Sequence, residues 1–180
     1  MPRVTLKNGE LRDQIRMDLY DSLYQGPTDS LRGVQKFFTN TQGKSLVDTN
    51  MRLNGTLENQ VSFLVQGIGL DAIVYDAGND VVIAEMLDMS ATTLVIGEKE
   101  YLRAPARFIT GKIRSYNAAI AQYGTNHDSV YTLKGHDAIA IPPVQTFSLN
   151  WQIETDALAA AGTSIKYVAS LKGLMRRPVQ

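Results

Sequence analysis

The chain has 180 residues, with 18 Lys plus Arg against 18 Asp plus Glu, 44% hydrophobic residues and no cysteine. That length suits one domain with a full core. The charge balance argues against a chain tuned as a whole to polyanions, and the lack of thiols removes disulfides and thiolate metal sites.

No apolar run nears the ~20 residues of a membrane helix. The start, Met1-Pro2-Arg3-Val4-Thr5-Leu6-Lys7-Asn8, lacks the apolar centre of a signal peptide, so the expectation is a soluble chain made inside the cell. After Asn8-Gly9-Glu10 come Leu11, Ile15, Leu19 and Leu23. This i, i+4 spacing predicts an amphipathic helix over residues 10–24, stopped by Gln25-Gly26-Pro27. A one-sided helix here either packs on the end of the domain or docks on a neighbouring subunit.

Residues 37–60 are polar and turn-rich, and Asn54-Gly55 is a hairpin-turn signal. Asn54-Gly55-Thr56 also spells a glycosylation sequon, idle without a secretion route. Val61, Phe63 and Val65 alternate with Ser62, Leu64 and Gln66, which predicts a long strand over 61–74, loosened by Gly67 and Gly69. Residues 80–89 carry a helical pattern in Val82, Ile83, Met86 and Leu87. Thr92–Gly97 and Lys99–Leu102 read as a hairpin across Gly97-Glu98. Residues 110–128 are rich in Gly, Ser, Asn and Ala, with weak periodicity, and predict a long loop with a short helix. Residues 129–133 form a further strand candidate.

The C-terminal third carries the strongest pattern. Residues 139–153 and 163–179 read as two long alternating strands joined by a short small-residue connection, a pair that belongs in the core of a sandwich or barrel. Phe147 and Trp151, four apart on one strand, share a face, and core packing accounts for most of the aromatics. From Ala157 onward there are Lys166, Lys172, Arg176 and Arg177 and no acid. A solvated strand and tail explain these cations. Contact with lipid headgroups, nucleic acid or an acidic partner is the alternative. The tally of six to eight strands and one or two helices, without β-α alternation, predicts a mainly β antiparallel sandwich or jelly roll.

Catalytic chemistry finds little support. Gly67-Ile68-Gly69-Leu70-Asp71-Ala72 fits the glycine pattern of dinucleotide sites, but that pattern needs a helix start after it, to hold a pyrophosphate on backbone amides. His127, Asp128, His136 and Asp137 hold the only two histidines and form a weak metal candidate; turn aspartates capping backbone amides explain the acids equally well. There is no nucleophile elbow around a serine. A glycosidase carboxylate pair would have Trp151 alone among tryptophans to build its sugar platform. No catalytic or cofactor-binding residue is assigned, no cofactor is expected, and the chain is not read as an enzyme.

Four stretches together resemble jelly-roll capsid proteins of tailless icosahedral bacteriophages, often membrane-containing. They are Phe37-Phe38, Gln42-Gly43-Lys44, Asp48-Thr49-Asn50-Met51, Leu57, Phe63 and Gly67-Ile68; then Leu94 through Pro105; then Ile141 through Leu149; and finally Leu171 through Val179. The resemblance covers most of residues 37–180 and lies in order and flavour, with no diagnostic motif. It implies a single eight-stranded jelly roll over 37–180, behind an N-terminal arm and helix over 1–36. It further implies a virion structural protein that self-assembles into an icosahedral shell, made in the host cytoplasm and residing in the capsid. The partners implied are copies of itself, other capsid proteins and an internal lipid membrane, without sequence-specific nucleic-acid binding. Interfaces are expected from Leu11, Ile15, Leu19 and Leu23, from the loop 103–128, and from Arg176 and Arg177. The rival reading is a carbohydrate- or receptor-binding β-sandwich, which needs exposed aromatics around Trp151.

Overall fold

The computed structural model describes residues 3–5, 11–74, 79–117, 122–125, 131–133, 137–159 and 163–179. In chain order the elements are β1 (Arg3–Thr5), β2 (Leu11–Gln25), β3 (Gly33–Phe37), β4 (Ser62–Val74), α1 (Asp80–Asp88), β5 (Ser90–Ile96), β6 (Lys99–Pro105), α2 (Ala106–Ile109), β7 (Thr110–Asn117), β8 (Gln122–Thr125), β9 (Tyr131–Thr132), β10 (Ile139–Ile141), β11 (Phe147–Ile153) and β12 (Ile165–Pro178). The expectation of a mainly β sandwich holds. One sheet runs β1-β2-β12-β4-β7-β8, with β9 and β10 also on β4, and the other runs β3-β11-β5-β6. Four antiparallel pairs nest inside one another along the chain: β2 with β12, β3 with β11, β4 with β10, and β5 with β6.

The expected helix over 10–24 is corrected to the strand β2. A spacing of four is even, so Leu11, Ile15, Leu19 and Leu23 share a face on a strand as well as on a helix. The intervening positions decide it. Arg12, Gln14, Arg16, Asp18, Tyr20, Ser22 and Tyr24 are all polar or amphipathic, the period-two alternation of a strand with one dry face. A helical stripe would also need apolar residues at i+3 and i+7, where Gln14, Asp18 and Ser22 stand. In register with β12 over residues 12–25, the strand pairs along almost its full length.

Two further expectations change. Residues 110–125 hold β7 and β8, paired antiparallel from Arg114–Thr125 to Asn117–Gln122; their backbone pairing is specified by β4 alongside, not by local periodicity. The two C-terminal strands do not pair with each other. The stretch 139–153 breaks at Pro142-Pro143, which lack ladder donors, and at Val144, whose φ is 60°. Beyond the break, β11 joins β3 and β5, while β12 joins β2 and β4 in the other sheet. The strand over 61–74, the helix over 80–89 and the hairpin across Gly97-Glu98 stand where their patterns place them.

One core fills the space between the sheets. Trp151 is fully buried, with its ring 4.7 Å from Tyr167 and 6.2 Å from Phe37, centroid to centroid. Its indole N–H donates to Ser90 Oγ at 2.8 Å, so the buried donor is satisfied. Tyr167 donates its hydroxyl to Gln25 Oε1 at 3.0 Å, and Gln25 Nε2 donates to the Ala157 carbonyl at 2.7 Å. Burial raises the Tyr167 phenol well above its ordinary value, so it stays a neutral donor.

Candidate assembly surface

The irregular segment between β3 and β4 is held to the sandwich by two ion pairs at its base. Phe38, just past β3, takes φ 71°, a left-handed conformation that costs a bulky residue about 1 kcal/mol or more. The buried Asp21 carboxylate holds it there: Oδ2 accepts the Phe38 N–H at 2.6 Å while Oδ1 pairs with Lys44 Nζ at 2.7 Å. Gly55, at φ 61°, donates to the Phe38 carbonyl and accepts from the Phe147 N–H. The Asn54-Gly55 signal therefore marks a tight turn clamped between β3 and β11, with no flanking hairpin.

Residues 44–50 then cross the outer face of β2 and β12 as a strap. Lys166 projects from β12 under it, 6% exposed, and donates to the Val47 carbonyl at 3.0 Å and to Asp48 Oδ1 at 2.7 Å. The same carboxylate accepts the Tyr24 hydroxyl at 2.7 Å and both the N–H and hydroxyl of Ser45. Ser22 donates to the Asp48 carbonyl, and Tyr20 donates its hydroxyl to Leu46 O. Thr49 bridges Asp21 in β geometry, and Asn50 bonds the backbone of Asp18 and Tyr20.

The electrostatics follow from these contacts. Hydrogen bonds from Lys166, Tyr24 and Ser45 push the Asp48 carboxyl far below the ordinary carboxylate range. Burial alone would lower the Lys166 ammonium, but the bonds to Asp48 and the adjoining Tyr24 reverse the sign and raise it. Desolvation and the Asp48 bond raise the Tyr24 phenol. The strap is thus locked by permanent charges. At its tip it holds Leu46 and Val47, 81% and 78% exposed: two aliphatic side chains fixed in water by an ion pair on each side. Nothing in the sequence around Leu46-Val47 separates them from the surrounding turn residues. Lys166, read from the sequence as one of four solvated cations, is instead buried.

The expected interface residues are distributed unevenly. Leu19 lies in the core at 2% exposed, Leu23 packs against the core, and Ile15 is half-buried on the same inward face. Leu11 opens β2. Arg176 and Arg177 stand in the last turn of pairing of β12, half-buried, with Arg176 Nε 3.4 Å from Gln14 Oε1. In the region 103–128, Phe108 is exposed, while 118–121 and 126–130 lie outside the described residues.

Of the metal candidates, His127, Asp128 and His136 lie outside the described residues, and Asp137 is exposed. Among the described residues no three His, Cys, Asp or Glu gather as a metal site. The glycine run 67–72 sits wholly inside β4, where no helix start can cradle a phosphate. No described helix is long and apolar enough to cross a membrane. Comparison with protein-family models and with curated proteins returned no match.

Proposed function

We propose that this chain is a virion structural protein: a single jelly-roll capsid subunit that assembles with copies of itself, and with other capsid proteins, into the icosahedral shell of a tailless bacteriophage. The observation that carries the reading is the strand order. Four nested antiparallel pairs, alternating between the two sheets along the chain, give the sets β2-β12-β4-β10 and β3-β11-β5-β6. This is the arrangement expected of a long hairpin rolled into two Greek keys, the jelly roll that viral shells share with lectins and cupins.

The surface supports assembly over catalysis. Shell subunits need rigid protruding contacts repeated by symmetry, so that modest interfaces add through avidity. The strap tip Leu46-Val47, held by two ion pairs, is such a contact. The glycan-binding alternative needs exposed aromatics around Trp151, and Trp151 and its ring neighbours Phe37 and Tyr167 are all buried. An internal lipid membrane beneath the shell remains part of the proposal as the resemblance implies it.

The test is light-scattering mass on a sizing column, with negative-stain images of the largest fraction, across salt and pH. Discrete rings or closed shells are the expected result. A strict monomer under every condition, absent from particles when co-expressed with a candidate shell partner, overturns the reading.

A further inference from the structure

The two sheets differ greatly in length. β2, β12 and β4 have 15, 14 and 13 residues, whereas β11, β5 and β6 have seven each and β3 has five. At ~3.3 Å per residue, the long sheet overshoots the short one by some six residues, about 20 Å. The overshoot is the half of β2 before Leu19 and the half of β12 after Leu171, half-buried except at Gly173 and for one exposed pair, Arg16 and Asp18, while β4 alongside stays buried at Phe63 and Val65.

Met17 and Met175 face inward there, packed against the core, so their neighbours face out. The outward set is Arg12, Arg16, Lys172 and Arg176, with Asp18 as the one acid. In register, Asp18 meets Lys172, Arg16 meets Leu174, and Gln14 meets Arg176. Four cations and one carboxylate give this face three positive charges; Arg16 is exposed, while Arg12, Lys172 and Arg176 are half-buried. The strap covers the outer face from Asp18 to Tyr24, and Arg12 donates to the Gln60 carbonyl.

The opposite end of the molecule is acidic. Glu85 and Asp88 are exposed on α1, and Glu154 is tied beside them by its N–H to the Met89 carbonyl at 3.0 Å. Asp29, exposed, joins them past the end of β2. Arg32 is engaged with Asp156 at 2.7 Å and Lys166 with Asp48, Arg107 of α2 lies over the Phe108 ring, and Arg114 on β7 stands in register with Ile73 near this end. Nine residues of β2 separate Arg16 from Gln25, ~30 Å of strand. Among the described residues, exposed carboxylates thus gather at one end and the outward cations of β2 and β12 at the other, in a chain whose net charge is zero.

We propose that copies of this chain associate head to tail, the basic outer face of the β2–β12 overshoot on one copy meeting the acidic α1 end of the next. The inference rests on the assembly reading and specifies its polarity. Complementary ends on one body give a heterologous contact, which closes into a ring where the rotation permits and otherwise propagates. Such charges set orientation and association rate more than total affinity, and they weaken as the Debye length falls from ~10 Å at 0.1 M salt to ~3 Å at 1 M.

The experiment is a charge swap on the full chain, read by concentration-dependent light-scattering mass, with circular dichroism and melting temperature as fold controls. One variant is Arg16→Glu/Lys172→Glu, and the other is Asp88→Lys/Glu154→Lys. Each alone is expected to lose about tenfold or more in association at low salt, and an equimolar mixture of the two is expected to recover it. Folded variants that assemble like the parent overturn this polarity and leave the assembly reading standing. Loss in the first variant without recovery in the mixture also overturns it, and points to another occupant of the basic face; binding of anionic vesicles or duplex DNA by the parent then identifies it. A parent protein that never associates defeats both readings together.

Discussion

Replacing Lys166 with Met is expected to destabilise the protein by about 2–3 kcal/mol and to release the strap. Lys166 is 6% exposed, and its ammonium makes two hydrogen bonds, to Val47 O and Asp48 Oδ1. Removing one member of a fully buried pair costs ~3–5 kcal/mol, because the other charge is stranded. Here the Asp48 side chain keeps 18% exposure and three further donors, from Tyr24 and Ser45, so the cost falls to the bottom of that range or just below it. Chemical denaturation followed by the fluorescence of Trp151 gives the global change. Hydrogen exchange at the Asn50 N–H, bonded to the Tyr20 carbonyl at 3.3 Å, gives the local one. Asp48→Asn and the double variant complete a cycle whose coupling should exceed ~1 kcal/mol. The sign with pH follows from the two shifts. Asp48 is lowered on folding, so its contribution is full above its unfolded value of 3.8 and is lost as pH falls below it. Lys166 is raised, so its contribution is full below 10.5 and lost above. The strap should therefore stay docked, with flat exchange protection, between about pH 5 and 9. A Lys166→Met protein within about 0.5 kcal/mol of the parent, with Asn50 exchange unchanged, would refute the argument.

Other expectations are equally direct. Gly173→Ala should cost about 2–3 kcal/mol in denaturation, because a Cβ there meets the Phe63 ring at 3.0 Å and the Leu64 carbonyl oxygen closer still, forcing β12 away from β4 at its bulge. Trp151→Ala should cost ~3–5 kcal/mol as a core cavity, while Trp151→Phe should lose nearer 1–2 kcal/mol, the Ser90 hydrogen bond and part of the Tyr167 contact; equal losses for the two would contradict the packing account. Leu46→Ser/Val47→Ser should leave the melting temperature within a degree or two, since both side chains are already in water, yet lower the yield of rings or shells in negative stain. Unchanged assembly would remove the strap tip from the contact set.

What could be read from the sequence was whatever a single element expresses in its own periodicity. β4, α1 and the β5–β6 hairpin each carry their period and their stop signals locally, and each stands where those signals put it. β2 shows the limit. Leucines four apart satisfy both periods, and only the uniform polarity of its even-numbered residues distinguishes the strand, a signal present in the chain but weaker to the eye than the leucines. β7 is a different failure: its strand state is conferred by a parallel neighbour forty residues earlier, β4, and no local pattern can report a non-local partner.

The proposed assembly surface is illegible for the second reason, and more completely. Lys166 and Asp48 lie 118 positions apart, and Lys44 and Asp21 lie 23 apart. Each looks in sequence like an ordinary solvated charge. Only the roll of the nested pairs brings Lys166 beneath residues 44–50, and only then does a turn-rich segment become a rigid strap with two aliphatics at its tip. The same roll makes the end-to-end charge asymmetry. Arg12 and Arg16 share an outer face with Lys172 and Arg176 because the first long strand pairs with the last, and on the proposed reading a chain whose charges sum to zero becomes a subunit with two unlike ends. If the proposed assembly role is right, function resides in surfaces made by topology, which a linear reading of composition averages away.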